Sequence, residues 1–142
     1  MRQAAGMLII KDGMILGVSR KNDPTKFGLP GGKCDGFEAP WQAAIREVKE
    51  ETDIDAGDLI VVYKRTEPAH APAPEGEDFE AYCFYPLEWR GEPKSMEEGT
   101  VVKWLTAAEL TSPESGAFAE YNKIALAEFR KMYPFVELKS EK

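Results

Sequence analysis

The chain has 142 residues, 43% hydrophobic and 30% charged, with 18 basic side chains against 25 acidic ones and a net charge of −7. A chain of this size buries roughly two-thirds of its unfolded surface, so it needs no disulfide or metal staple to hold a core. The acidic balance argues against a general binder of nucleic-acid backbone, and no apolar run approaches the ~20 residues of a membrane span.

No apolar segment of signal-peptide type precedes the polar Lys11, Asp12 and Gly13. Cys34 and Cys83 lack the CxxC spacing of a zinc site and are too few for a disulfide framework. They read as free thiols in a reducing cytoplasm. A phosphate substrate stays open, because a bound cation inverts the local field. Oligomeric state is not written in the sequence, and a homodimer stays open.

In chain order, residues 7–10 and 14–18 are apolar runs split by Asp12-Gly13, which is a hairpin signal. Residues 19–27 are polar and contain the turn cluster Asn22-Asp23-Pro24. Residues 28–33, with Pro30-Gly31-Gly32, read as a tight loop where backbone comes close to something. Residues 39–52 form the clearest helix, with Pro40 near its start. Its apolar stripe is Trp41, Ala44, Ile45 and Val48, with Trp41 in the core. Residues 59–64 and 79–87 read as strands, joined by a long Pro-rich loop over 68–76. Residues 100–105 form a further strand. Thr106 caps a short turn through Leu110. Phe118, Tyr121, Ile124, Ala125, Leu126, Phe129 and Met132 mark a second amphipathic helix that ends before Pro134. No βαβ rhythm repeats, so the expected architecture is α/β, a mixed sheet covered by two helices, in a single domain over residues 1–142.

Glu47, Glu50 and Glu51 fall at i, i+3 and i+4 of the first helix. Their mean direction lies roughly 120° from the apolar stripe. Like charges at this spacing repel, and they sit toward the end where the helix dipole disfavours anions. A divalent cation resolves that conflict, and hard carboxylate oxygens suit Mg²⁺ or Mn²⁺. Arg46 lies beside them, Glu38 precedes the helix, and the Gly31-Gly32 backbone is near in sequence and able to meet a metal or phosphate.

The full run is Gly32-x5-Glu38-x7-Arg46-Glu47-Val48-x-Glu50-Glu51-x-Asp53-Ile54. It closely resembles the Nudix box, G-x5-E-x7-R-E-U-x-E-E-x-G-U, of the Nudix hydrolases, with MutT-like members among them. Eight of the nine specified positions match. The departure is Asp53, where the family has glycine. That glycine suits a left-handed helix cap, a conformation aspartate tolerates at some strain. Asp53→Gly is therefore expected to raise stability.

The resemblance implies a Nudix-type α/β/α sandwich with the mixed sheet between helices. It implies that Glu47, Glu50 and Glu51 bind Mg²⁺ or Mn²⁺ together with the Gly31 or Gly32 carbonyl, and that Glu38 and Arg46 form an orienting ion pair. Several members add a glutamate outside the box as metal ligand or base. Glu97 and Glu98 are the candidates, with Glu98 preferred and Glu77 and Glu80 behind them. Arg20, Lys21 and Lys33 are candidates for steering phosphate, and Phe27 and Tyr82 for stacking a base.

The implied reaction is hydrolysis of a nucleoside diphosphate linked to another moiety. Downstream of the box, some ADP-ribose-cleaving members carry a proline and some dinucleoside-polyphosphate members a tyrosine. Here His70, Ala71 and Pro72 occupy those positions and meet neither marker. A (deoxy)nucleoside triphosphate, cleaved to monophosphate and pyrophosphate, is favoured over ADP-ribose, a nucleotide sugar or a dinucleoside polyphosphate. The rival of another class is an inactive module that only binds nucleotide; it would have lost metal ligands that this chain keeps.

Overall fold

The computed structural model of the chain describes residues 2–67 and 79–139. The Pro-rich stretch, His70, Ala71, Pro72 and Glu77 lie outside them. The strands are β1 (Arg2–Met7), β2 (Ile10–Lys11), β3 (Met14–Arg20), β4 (Asp23–Gly28), β5 (Gly31–Lys33), β6 (Asp55–Glu67), β7 (Phe79–Arg90) and β8 (Val102–Leu105). The helices are α1 (Pro40–Thr52), α2 (Ala107–Thr111) and α3 (Ala119–Met132). None of them is long and apolar enough to cross a membrane.

One sheet runs β5-β1-β7-β6 and is mixed, with β1 parallel to β7 and the other pairs antiparallel. A second, antiparallel sheet places β3 against β2, β4 and β8. Alternation along the strands divides the interior in two. Leu8, Ile15 and Cys83 join Leu126 and Phe129 of α3 in one core, whereas Ile9, Leu16 and Phe84 join Ala44 and Val48 of α1 in the other. Neighbouring residues thus feed opposite faces, and helices cover both, as the expected mixed α/β architecture requires.

The Asp12-Gly13 hairpin forms as expected. Lys11 pairs with Met14, and both turn residues have positive φ, 53° and 77°. Other segments differ from the sequence reading. The first strand begins at Arg2, five residues before the apolar run, because Ala4, Ala5 and Gly6 pair on both sides with little side-chain signature. The polar 19–27 segment is mostly strand, β3 reaching Arg20 and β4 running Asp23–Gly28 with exposed Pro24 and Thr25. The supposed loop at 28–33 contains β5, and β6 and β7 are each longer than expected. Trp41 is not core. It is 51% exposed at the open end of α1, while Ala44 and Val48 are buried.

The α1 terminus confirms the reading of Asp53 as a left-handed cap, with φ 65°, ψ 20° and its N–H donating to the Lys49 carbonyl at 3.0 Å. Its side chain has work that the sequence did not indicate. It lies 3.1 Å from Lys49 Nζ and 3.4 Å from Lys94 Nζ. Asp53→Gly therefore relieves backbone strain and gives up two surface ion pairs, effects of similar small size. The melting temperature should shift by less than about 3 °C. A thermal scan showing a much larger fall would mean that these pairs hold the segment carrying Lys94.

Candidate active site

The second half of α1 sets Glu47 and Glu51 against the edge of the mixed sheet, where β5 runs antiparallel to β1, with Glu50 more exposed beside them. Register puts Ala5 opposite Gly32 and Gly6 opposite Gly31. Side chains at either glycine would collide. A Cβ on Gly31, whose φ is +152°, would overlap the Ala5 backbone, and one on Gly32 would sit 2.6 Å from the Glu47 carboxyl carbon. The glycines therefore allow β1, β5 and the α1 carboxylates to meet in one place. The Gly31 N–H donates to Glu51 Oε1 at 2.7 Å.

Arg46 organises the outer side of this cluster. Its Nε and Nη2 donate to the two Glu38 oxygens at 2.6 and 2.9 Å, a bidentate pair. Its Nη1 donates to Glu47 Oε1 and to Glu50 Oε1, both at 2.9 Å, and Nη2 reaches the Lys33 carbonyl at 3.2 Å. The hydrogen bonds from Arg46 and from the Asp35 N–H hold the Glu38 carboxyl down at about 2. The hydrogen bond to Glu38 likewise raises the Arg46 guanidinium above its ordinary value.

The inner carboxylates behave differently. Burial raises the Glu47 carboxyl against the opposing pull of Arg46, with Glu50 and Glu97 adding to the rise. Burial pushes Glu51 up to about 8, against the Gly31 hydrogen bond, and the charges of Glu47, Glu97 and Glu50 add to it. Two of these groups thus carry a cost of ionisation that a cation would offset.

As they stand, no three metal-binding side chains are gathered around one point among the described residues. Arg46 holds one oxygen each of Glu47 and Glu50, and the Gly31 N–H holds one of Glu51. The donor set still suits a hard divalent ion. It consists of carboxylate oxygens on one helix face, a glycine backbone without side chains beside them, and unrelieved like-charge crowding.

Of the two candidate glutamates between β7 and β8, Glu97 is the one whose charge adds to the rise at Glu47 and Glu51. The Met96 N–H donates to the Glu51 carbonyl at 3.2 Å and brings this segment to the end of α1. Glu80 is committed elsewhere, 3.4 Å from Lys64 and accepting from Gln3 at 2.9 Å.

A cavity of about 330 Å³ adjoins the glycine turn. Gly31, Gly32 and Lys33 line one side, and Tyr82, Phe118, Tyr121 and Asn122 another. Tyr82 and Lys33 were legible as candidates from the sequence. Phe27 is corrected: it is buried in the core, with the Lys103 ammonium 4.7 Å from its ring centroid. Arg20 does not line the cavity but stacks on Phe118, its Cζ 5.3 Å from the ring centroid. Phe118, Tyr121 and Asn122 were not named as site residues. The one available signal was an asparagine set among the apolar positions of the last helix.

The description "NUDIX domain" fits a family model that matches residues 1–127. A crystal structure of a MutT NUDIX hydrolase from Burkholderia pseudomallei is 30% identical, with a TM-score of 0.71, over 89% of this chain and 96% of that one. The solution structure of the E. coli ORF135 protein, 21% identical, shares the fold at a TM-score of 0.73 over 95% of this chain and 94% of that one. An ADP-ribose pyrophosphatase of Methanocaldococcus jannaschii is 47% identical over 49 residues, 33% of this chain. That stretch spans only 29% of the relative's length.

Proposed function

Because the chain belongs to the NUDIX domain family, we propose that it is a pyrophosphohydrolase, a single catalytic domain that cleaves a nucleoside diphosphate linkage with Mg²⁺ or Mn²⁺. The observation that carries this reading is an adjacency. Gly31, Gly32 and Lys33 border both the α1 carboxylates and the aromatic-walled cavity. A molecule with a flat apolar end and an anionic chain fits across that boundary, its phosphates at the glycine turn and its base in the cavity. The free thiols, Cys83 buried and Cys34 partly so, suit a reducing cytoplasm.

Bound at Glu47, Glu50 and Glu51, the cation supplies charge neutralisation on the diphosphate and a more acidic water. The residues of the chain do the rest. Arg46, itself held by Glu38, fixes Glu47 and Glu50, so that they hold their places without drifting apart. The glycine turn keeps side chains out of the path of the phosphates. Lys33 attracts the anionic chain.

We assign proton uptake to Glu97, the acidic residue off the helix whose charge reaches Glu47 and Glu51. Glu97→Gln should then lower kcat by roughly 10²-fold or more, whereas Glu98→Gln should leave it within about twofold. Steady-state kinetics with both variants decides between them, and a reversed pattern would restore Glu98.

Among substrates, a (deoxy)nucleoside triphosphate remains our first choice, giving monophosphate and pyrophosphate. The relative named an ADP-ribose pyrophosphatase makes ADP-ribose the second. A panel of triphosphates, ADP-ribose, nucleotide sugars and dinucleoside polyphosphates, with and without Mg²⁺, tests the reading. Turnover of ADP-ribose alone would keep the reaction and overturn the substrate. Binding without any Mg²⁺-dependent turnover would mean an inactive nucleotide-binding module.

A further inference from the structure

Five residues other than glycine have positive φ among those described: Asp12, Asn22, Asp53, Asp58 and Phe118. Four are Asp or Asn, whose short polar side chains tolerate the left-handed region. Phe118 is the exception, a bulky aromatic at φ 58° and ψ 46°, immediately before α3. Its strain is not repaid by burial, because the side chain is 68% exposed.

The surrounding backbone enforces the conformation. The Ala117 N–H donates to the Phe27 carbonyl at 2.7 Å, and the Phe27 N–H to the Ser115 carbonyl at 2.8 Å. Asn122 Nδ2 donates to the Ala117 and Leu110 carbonyls at 2.8 and 3.0 Å. Chain entry into α3 is therefore over-determined, which is how a strained residue persists at a working position.

The ring lies where a ligand would meet it. Phe118 lines the cavity beside the glycine turn, together with Tyr82 and Tyr121. Asn122, 2% exposed, lines the same cavity. Both of its N–H bonds are committed to backbone carbonyls, and its carboxamide oxygen has no partner among the described residues. The Arg20 guanidinium over the Phe118 ring steadies it from the outside.

We propose that Phe118 is a substrate-stacking residue, an aromatic wall held in left-handed strain so that its exposed ring meets the flat heteroaromatic base of the nucleotide. This rests on the reading that the cavity receives the base.

The test compares wild type with Phe118→Gly, Phe118→Asn and Phe118→Trp. Each is titrated with the four nucleoside 5′-monophosphates and, separately, with inorganic pyrophosphate, and each is melted. Base–aromatic stacking predicts roughly 10-fold weaker monophosphate binding for Phe118→Gly and Phe118→Asn, with pyrophosphate affinity unchanged. Both substitutions relieve the left-handed strain, so both should raise the melting temperature by about 2–5 °C. Phe118→Trp should keep monophosphate affinity and the lower melting temperature.

Stability and base affinity moving in opposite directions is the signature of strain retained for binding. Equal loss of monophosphate and pyrophosphate binding, with a lower melting temperature, would make Phe118 merely structural and overturn the proposal. So would unchanged monophosphate affinity in Phe118→Gly while wild type binds the base. If wild type bound pyrophosphate but none of the monophosphates, the nucleotide reading itself would fall, and this assignment with it.

Discussion

Replacing Glu51 by glutamine is expected to slow turnover at least ~100-fold, the scale of losing one preorganised electrostatic group, while steadying the metal-free protein at neutral pH. Glu51 is partly buried, next to Glu47 and Glu97, and its carboxyl is pushed from 4.5 to about 8. Between those values the folded protein keeps a proton that the unfolded chain has released. Stability of the metal-free protein therefore falls as pH rises through that window, and it is free of this penalty below it. Glutamine carries no charge and loses the slope.

Glu38 works in the opposite sense. Its carboxyl is held at about 2, so its contribution is present above 4.5 and lost as pH falls toward 2. Denaturant melts in chelator at pH 5 and pH 8 should show wild type losing more stability than Glu51→Gln between the two. Mg²⁺ should then raise the melting temperature of wild type by binding the folded state, and raise that of the variant much less. Near-full activity in Glu51→Gln would remove it from the site.

The second large effect is expected at Arg46. One guanidinium touches Glu38, Glu47, Glu50 and the Lys33 carbonyl. Arg46→Ala leaves the Glu38, Glu47 and Glu50 carboxylates facing one another with no cation between them. Activity should fall by 10²-fold or more, since small misplacements of a catalytic group already cost that much. The metal-free melting temperature should drop by more than about 5 °C. Arg46→Lys should rescue little, because an ammonium cannot make the bidentate contact and reach Glu47 and Glu50 together. Recovery of both activity and stability in the lysine variant would show that only the charge matters.

Much of this site was legible in the sequence because its key residues lie close along the chain. The spacing of Arg46, Glu47, Glu50 and Glu51 fixes them on one helix surface, and Asp53 announced its own left-handed cap. What stayed hidden depends on register between distant strands. Gly31–Lys33 carries no side-chain pattern, so β5 was invisible until its pairing with β1 was known. The polar β4 shows no clean alternation, because much of it faces solvent.

Trp41 fits the apolar stripe of α1 by angle but lies in the first turn, beyond the reach of the sheet. The cavity joins β1, β5, β7 and the start of α3, and no local motif links them. Phe118 read as one more apolar helix position, whereas the chain turns left-handed there to expose it.

Hydrolysis in ¹⁸O-water followed by mass spectrometry of the products tests the central claim most directly. On the proposal that the carboxylate set acts on a diphosphate, water should attack phosphorus within that unit, and no sugar carbon should be labelled. For a nucleoside triphosphate the account predicts monophosphate and pyrophosphate, with one ¹⁸O on one of the two, and its position names the phosphorus attacked. Orthophosphate with nucleoside diphosphate as the only products, the label on the orthophosphate, would mean γ-phosphate cleavage and would contradict the account.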